Sequence, residues 1–224
     1  AGVEFSVVCA PEGYTYVPDN NFEQALIDLG YDDVLNDFVL TSSISGVEDL
    51  EINDKEISDL TGIAGFTALT ILHCKDNQLT TLDVSNNTAL YQLECQINQI
   101  QVLDLSNNTQ LHHLNCVDNQ ISTLDLSNNL ELETLGCAAN PLTELDVTMH
   151  ESLFSLWCSG TQLTSLDVSN NTLLTYLEIN SNQLTYLNMK NGVTDAYTFF
   201  NATGNSSLTC IETLDPDYAT ANWT

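Results

Sequence analysis

From Leu69 to Met189 the apolar residues fall on a fixed grid. Leu69, Leu90, Leu111, Leu132, Leu153 and Leu174 open six consecutive copies of one 21-residue unit, with no insertion between them. The unit reads LxxLxCxxNxLxxLDLSNNxx, and it is nested. Leu79-x-x-Leu82-x-Val84-x-x-Asn87 repeats, 10 residues on, the spacing of Leu69-x-x-Leu72-x-Cys74-x-x-Asn77. Alternation of sides about each central Leu predicts a short strand, and the Asn predicts the turn that follows it. A period of this length marks a stacked solenoid, because no single copy can bury its apolar face alone. Two short parallel strands per repeat predict two sheets facing each other across a thin core, in a β-rich, right-handed coil with no room for a long helix.

A solenoid needs lids, since its first and last turns otherwise show apolar interior to water. Residues 1–17 read as an extended arm. In the helical cap, 18–46, Asp19 or Asn20 can cap, Glu23 stands at capping-box spacing, Phe22, Leu26 and Leu29 share a face, and Gly30 stops the helix. Val34, Leu35 and Phe38 are expected to pack inward. Repeats fill 47–194, beginning with a 22-residue form at Val47. The register slips by about two residues after Gly192, and 195–224 hold a degenerate last repeat and a C-terminal cap, with Ile211, Leu214, Tyr218 and Trp223 available to cover the end.

Each column of the unit has its own physical role. The turn Asn column (Asn77, Asn98, Asn119, Asn140 and Asn182, with Thr161 once) suits side chains that donate to and accept from unpaired backbone groups. Sequons such as Asn86-Asn87-Thr88 fall out of that turn pattern. Cys74, Cys95, Cys116, Cys137 and Cys158 share a column in which Ile179 follows, so the site wants a small or medium hydrophobe and not a disulfide or a metal. Cys9 and Cys210 lie in opposite caps, too far apart for one bond. Asp83, Asp104, Asp125, Asp146 and Asp167, continued by Asn188, should point outward. Either Ser85, Ser106, Ser127 and Ser169 compensate their mutual repulsion by hydrogen bonding, or the file is a weak calcium or magnesium ladder. Asp32, Asp33 and Asp37 form a second, fainter calcium candidate, and His73, Glu94 and His113 a candidate metal trio.

The outward positions of the first strand differ from copy to copy, as a recognition surface should. Trp157 stands beside the small Gly136 and Ala138 and near Tyr176, an arrangement suited to stacking on a sugar face or capturing a protein side chain. A ligand-binding patch is therefore expected at Trp157, Tyr176, His113, Glu94, Ser155 and Glu178. Charge narrows the partners. Thirty-one carboxylates against three lysines give a formal net charge of -28, which excludes nucleic acid and disfavours anionic membranes. No stretch approaches the roughly 18 uninterrupted apolar residues of a membrane span, and Ala1 to Ala10 reads as a processed end. Gly-rich phosphate loops, a nucleophile elbow and HExxH are absent, so no enzyme is expected. A structural matrix protein with a cation-binding Asp face and a polysaccharide-active enzyme are the alternatives, the second unlike anything the motifs support.

On these columns the chain resembles the bacterial leucine-rich repeat proteins, specifically the nested 21-residue class called IRREKO. Residues 47 to 68 resemble an internalin-style 22-residue repeat, and TYVPDNNFEQALIDLGYDDVL and SLTCIETLD resemble the caps of secreted members. The resemblance implies an extracellular or cell-surface module for adhesion or protein recognition. Apart from the weak calcium candidate of the Asp file, no cofactor is expected. Thr161, Pro141 and Met149-His150 depart from the pattern between residues 140 and 162.

Overall fold

The computed structural model describes residues 10–223, so Cys9 lies outside the described residues. In chain order the elements are β1 (Tyr14–Tyr16), α1 (Asn20–Asp28), β2 (Phe38–Leu40), α2 (Thr41–Ile44), β3 (Asp49–Glu51), a 3-10 turn at Ile63–Gly65, β4 (Ile71–His73), β5 (Gln92–Glu94), β6 (His113–Asn115), β7 (Thr134–Gly136), β8 (Ser155–Trp157), β9 (Ser165–Asp167), β10 (Tyr176–Glu178), β11 (Tyr186–Met189), β12 (Phe199–Asn201), β13 (Ile211–Thr213) and α3 (Pro216–Asn222). The strands β3 to β8, β10 and β12 form one eight-stranded parallel sheet, each turn of the coil adding the next strand. The central leucines align in register from Leu50 to Leu177 and end at Phe200. Successive strands are 21 residues apart along the repeats, 22 at the first pair and 23 at the last, where the expected slip falls.

The cap at the amino end forms as its signals predict, with three corrections. Asp19 caps α1, accepting from the Asn21 and Phe22 N–H groups, and its second oxygen binds Ser58 and Asp59 of the first turn. The helix ends in a Schellman motif, Gly30 N–H to Ile27 O and Tyr31 N–H to Leu26 O. Glu23, however, makes no capping box. It is buried and accepts from the Asn36 and Phe38 N–H groups, pinning the following loop instead. That loop turns Val34 and Leu35 out to half exposure, its inward anchor being the Glu23 carboxylate. Leu29, at the helix stop, is likewise exposed. At the far end Ile211 and Trp223 pack against the core with Tyr197 and Phe200, whereas Leu214 is exposed.

On the second flank the expectation of a strand in every repeat is corrected. Only β9, β11 and β13 pair there, and the earlier copies show a single isolated bridge, Leu82 to Leu103. Every full copy but the one with Pro141 begins this half with a backbone bond to its neighbour, as from Gln99 N–H to Leu79 O at 2.8 Å, but the next in that turn, Gln101 N–H to Thr80 O, has stretched to 3.4 Å. Clefts of about 340 and 420 Å³ open between adjacent turns beside Asp104, Asp125 and Asp146. Side-chain size in the facing columns does not decide which copies pair, since Val147 stands in an unpaired copy and β9 pairs in a copy whose first-flank residue is Cys158.

Two Asn files stitch the turns together. In the first, Asn98, Asn119 and Asn140 each donate to the carbonyls of two successive Cys residues and accept from a backbone N–H one turn earlier. The residue before each ladder Asn is left-handed: Asp76, Ile97, Asp118, Ala139 and Ser181 have φ between 52° and 59°. Such a conformation is strained for residues with a Cβ and persists only where its surroundings hold it. Thr161 makes fewer of the bonds, reaching Cys158 O and Asn182, and the residue before it is Gly160 at φ 63°. Glycine thus stands where the Asn clamp is missing. The second file, Asn87, Asn108, Asn129 and Asn171, is fully buried and bonds to carbonyls of adjacent turns. His150 takes its place in that file, with Nε2 at 3.2 Å from Leu126 O.

Candidate functional site

The outer face of the eight-stranded sheet carries the rows that vary from turn to turn. Leucines at the middle of each strand point inward, so the residues on either side must point out together. Glu94 is held by two neighbours. His73 Nδ1 lies 3.2 Å from one carboxylate oxygen, and Gln92 Nε2 donates to the other at 2.9 Å. His113 Nδ1 lies 3.0 Å from Thr134 Oγ1, and its Nε2 lies 4.0 Å from a Glu133 oxygen. Between these groups and Trp157 is a depression of about 290 Å³, lined by Gln92, Glu94, His113, Asn115, Thr134 and Trp157. Its shape depends on Gly136. A Cβ at that position would come within 3.1 Å of both Trp157 Cε3 and Asn115 Oδ1, so the indole leans over the bare glycine backbone.

Beyond Trp157 the face turns aromatic. Tyr176 meets Trp157 edge-on at 5.6 Å between ring centroids and stacks on Phe199 at 4.6 Å. Glu178 pairs in register with Trp157. Among the expected patch residues, the structure thus brings Glu94, His113 and Trp157 around one depression and sets Tyr176 and Glu178 on its far side. Ser155 is the correction. It is buried at 4% exposure, since its short side chain lies in register between the larger Thr134 and Tyr176. Trp157 is half-buried, covering backbone as well as facing solvent.

Several contact groups escaped the repeat pattern. Phe199 is exposed but sits beyond the register slip, where counting in 21s misplaces it. Tyr91, His112 and Phe154 each precede their strand by one residue. Tyr91 stacks on His112 at 4.3 Å and meets His113 edge-on at 5.1 Å. A column reading Thr70, Tyr91, His112, Glu133, Phe154, Thr175 varies as widely as the strand rows, and that variation is the signal that could have found it.

The Asp column is hydrogen-bonded within each turn. Asp83, Asp104, Asp125 and Asp167 accept from the N–H of the Ser two residues on, and Asp146 from Thr148, at 2.8 to 3.0 Å. The Ser85 hydroxyl and N–H hold Asp83 below the ordinary carboxylate range, the Ser106 and Ser127 N–H groups do so for Asp104 and Asp125, and the Thr148 hydroxyl for Asp146. Burial alone would raise Asp167, but Ser169 and the Asn188 amide outweigh it. Among the described residues no three His, Cys, Asp or Glu side chains converge to hold a metal ion. The five ladder cysteines are free and buried, and burial pushes the Cys74 and Cys116 thiols up to about 12.

Stacked turns, an inward Leu file and an Asn ladder define a leucine-rich repeat solenoid, of internalin-like build. No protein-family model matches the sequence. No curated protein matches it. Among solved structures, the functional domain of InlJ from Listeria monocytogenes, described as including a cysteine ladder, is 29% identical with a TM-score of 0.67, over 88% of this chain and 51% of that one. A leucine-rich repeat protein of Leptospira interrogans aligns at 20% identity and a TM-score of 0.62, over 80% of this chain and 47% of that one. The internalin InlF of Listeria monocytogenes aligns at 18% and 0.54, over 88% and 82%. The chain spans about half the length of the first two. Among the described residues no helix is long and apolar enough to cross a membrane.

Proposed function

We propose that the protein is a non-catalytic recognition module, acting outside the cell or at its surface, that binds a protein or glycan ligand on the outer face of the eight-stranded sheet. The observation that carries this is the contrast within each strand: the inward Leu is constant, while the outward neighbours change from turn to turn and gather around a depression bounded by Trp157, with Tyr176 edge-on to that ring beyond it. Energy in such interfaces concentrates on aromatic anchors beside shallow, desolvated floors. The likeness to internalin-type solenoids supports a binding role, and the Asp flank, satisfied within its own turns, reads as scaffold. The test is a panel of immobilised glycans and purified extracellular protein domains probed with the native chain, Trp157→Ala, Tyr176→Ala and, on the opposite flank, Val102→Ala. Any ligand bound by the native chain should lose about tenfold or more in affinity with either aromatic variant, as truncated interface anchors do, and keep it with Val102→Ala. A ligand lost with Val102→Ala but indifferent to Trp157 and Tyr176 would move the binding surface to the other flank.

A further inference from the structure

The patch around Glu178 has a feature that a general recognition surface does not require. Glu178 pairs in register with Trp157 on the adjacent strand and follows Tyr176 by two residues, so charge and rings share one face. Among the described residues no side-chain donor or cation meets it: the ion pairs are His73 with Glu94, His113 with Glu133 and Lys190 with Glu212. The chain has no arginine and three lysines, of which only Lys75 stands on this face, several strands away. A molecule of net charge -28 therefore leaves, among the described residues, an aromatic-flanked carboxylate unpaired on the last strand but one of its variable face.

We propose that this patch receives the guanidinium of an arginine on a basic segment of a protein partner, stacked against Trp157 and forked onto Glu178. The inference rests on the outer face being the recognition surface and adds the chemistry of the partner. A guanidinium fits because it is planar, lies flat on an indole face and offers paired donors to a carboxylate, three properties an ammonium does not combine. The surplus negative charge steers a cationic segment towards the face and sets a strong salt dependence on the encounter. A neutral sugar would stack on Trp157 without needing Glu178.

The experiment uses the full chain in a Trp223→Phe background, which leaves Trp157 as the only indole. A short arginine-rich peptide, its citrulline counterpart and its lysine counterpart are titrated at low and physiological salt, following Trp157 fluorescence. The arginine peptide should perturb Trp157 and bind more tightly than the lysine peptide, and the citrulline peptide should not bind. Glu178→Gln should weaken the arginine peptide by about three- to tenfold, while Glu131→Gln, an exposed carboxylate on a turn, leaves it within twofold. Circular dichroism confirms that both variants fold. Equal losses from Glu178→Gln and Glu131→Gln, citrulline binding as tight as arginine, or no arginine binding at low salt would each overturn the proposal. Glycan binding that depends on Trp157, found together with no arginine binding, would retain the recognition face and remove this partner chemistry.

Discussion

Removal of one ladder side chain, Asn119→Ala, tests the account of what holds the coil together. Asn119 Nδ2 donates to Cys95 O at 3.0 Å and Cys116 O at 3.1 Å, and its Oδ1 accepts from Ile100 N–H at 2.9 Å. A fourth, long bond runs from Nδ2 to Val117 O at 3.4 Å, a carbonyl that keeps the Ile97 N–H, and the three shorter bonds lost are not equivalent. Cys95 O keeps a donor in Asn98, and Cys116 O keeps one in Asn140. Ile100 N–H is left with none among the described residues. An orphaned buried donor costs about 1–3 kcal/mol, and each thinned carbonyl about 0.5 kcal/mol more, for a total of about 3 kcal/mol. For a chain of this length that lowers the melting midpoint by about 6 to 12 °C. Urea denaturation followed by circular dichroism reads the change, with Asn107→Ala as control, since Asn107 makes one exposed bond, to Ser85 O. Thr161→Asn runs the experiment backwards, because Thr161 offers no acceptor to Leu142 N–H and an Asn would. It should stabilise by about 1 kcal/mol. Equal costs for Asn119→Ala and Asn107→Ala, or a destabilising Thr161→Asn, would refute the ladder as the source of cohesion between turns.

Four further outcomes are expected. A thiol reagent at neutral pH should leave Cys74, Cys95, Cys116, Cys137 and Cys158 unreacted in the folded chain and gain all five on denaturation, since each is buried with its pKa raised; native reaction at any of the five would contradict the core placement. Ile97→Gly should stabilise by about 1 kcal/mol, because a β-branched residue is held at φ 57° there, and a loss of stability would show that its side chain matters more than its strain. The melting midpoint should rise as pH falls from about 8 towards about 5, as self-repulsion declines, then turn over near pH 4. The sign follows from the Asp column: folded-state pKa values below the ordinary 3.8 add stability above that pH and lose it as the carboxylates protonate, so a midpoint still climbing at pH 3 would refute it. Calcium should shift the midpoint no more than sodium at equal ionic strength, and an ion-specific rise of several degrees would make the Asp flank a cation ladder after all.

The parts of this fold that are readable without coordinates are those fixed by repetition. A residue type recurring every 21 positions must face the same surroundings in every turn, so Leu, Cys, Asn and Asp each declare inward, inward, turn and outward by column alone. What repetition cannot declare is the size of the neighbour. Ser155 belongs to an outward row and is buried because Tyr176 and Thr134 overshadow it; Trp157 leans because Gly136 leaves it room. The second flank has the same strand-like spelling as the first, yet pairs only at β9, β11 and β13. Close pairing on the first flank sets the outward side chains of adjacent turns about 4.8 Å apart. The gathering of Glu94, His113 and Trp157 about one depression thus follows from the unbroken register of β5 to β8, which the inward Leu file holds.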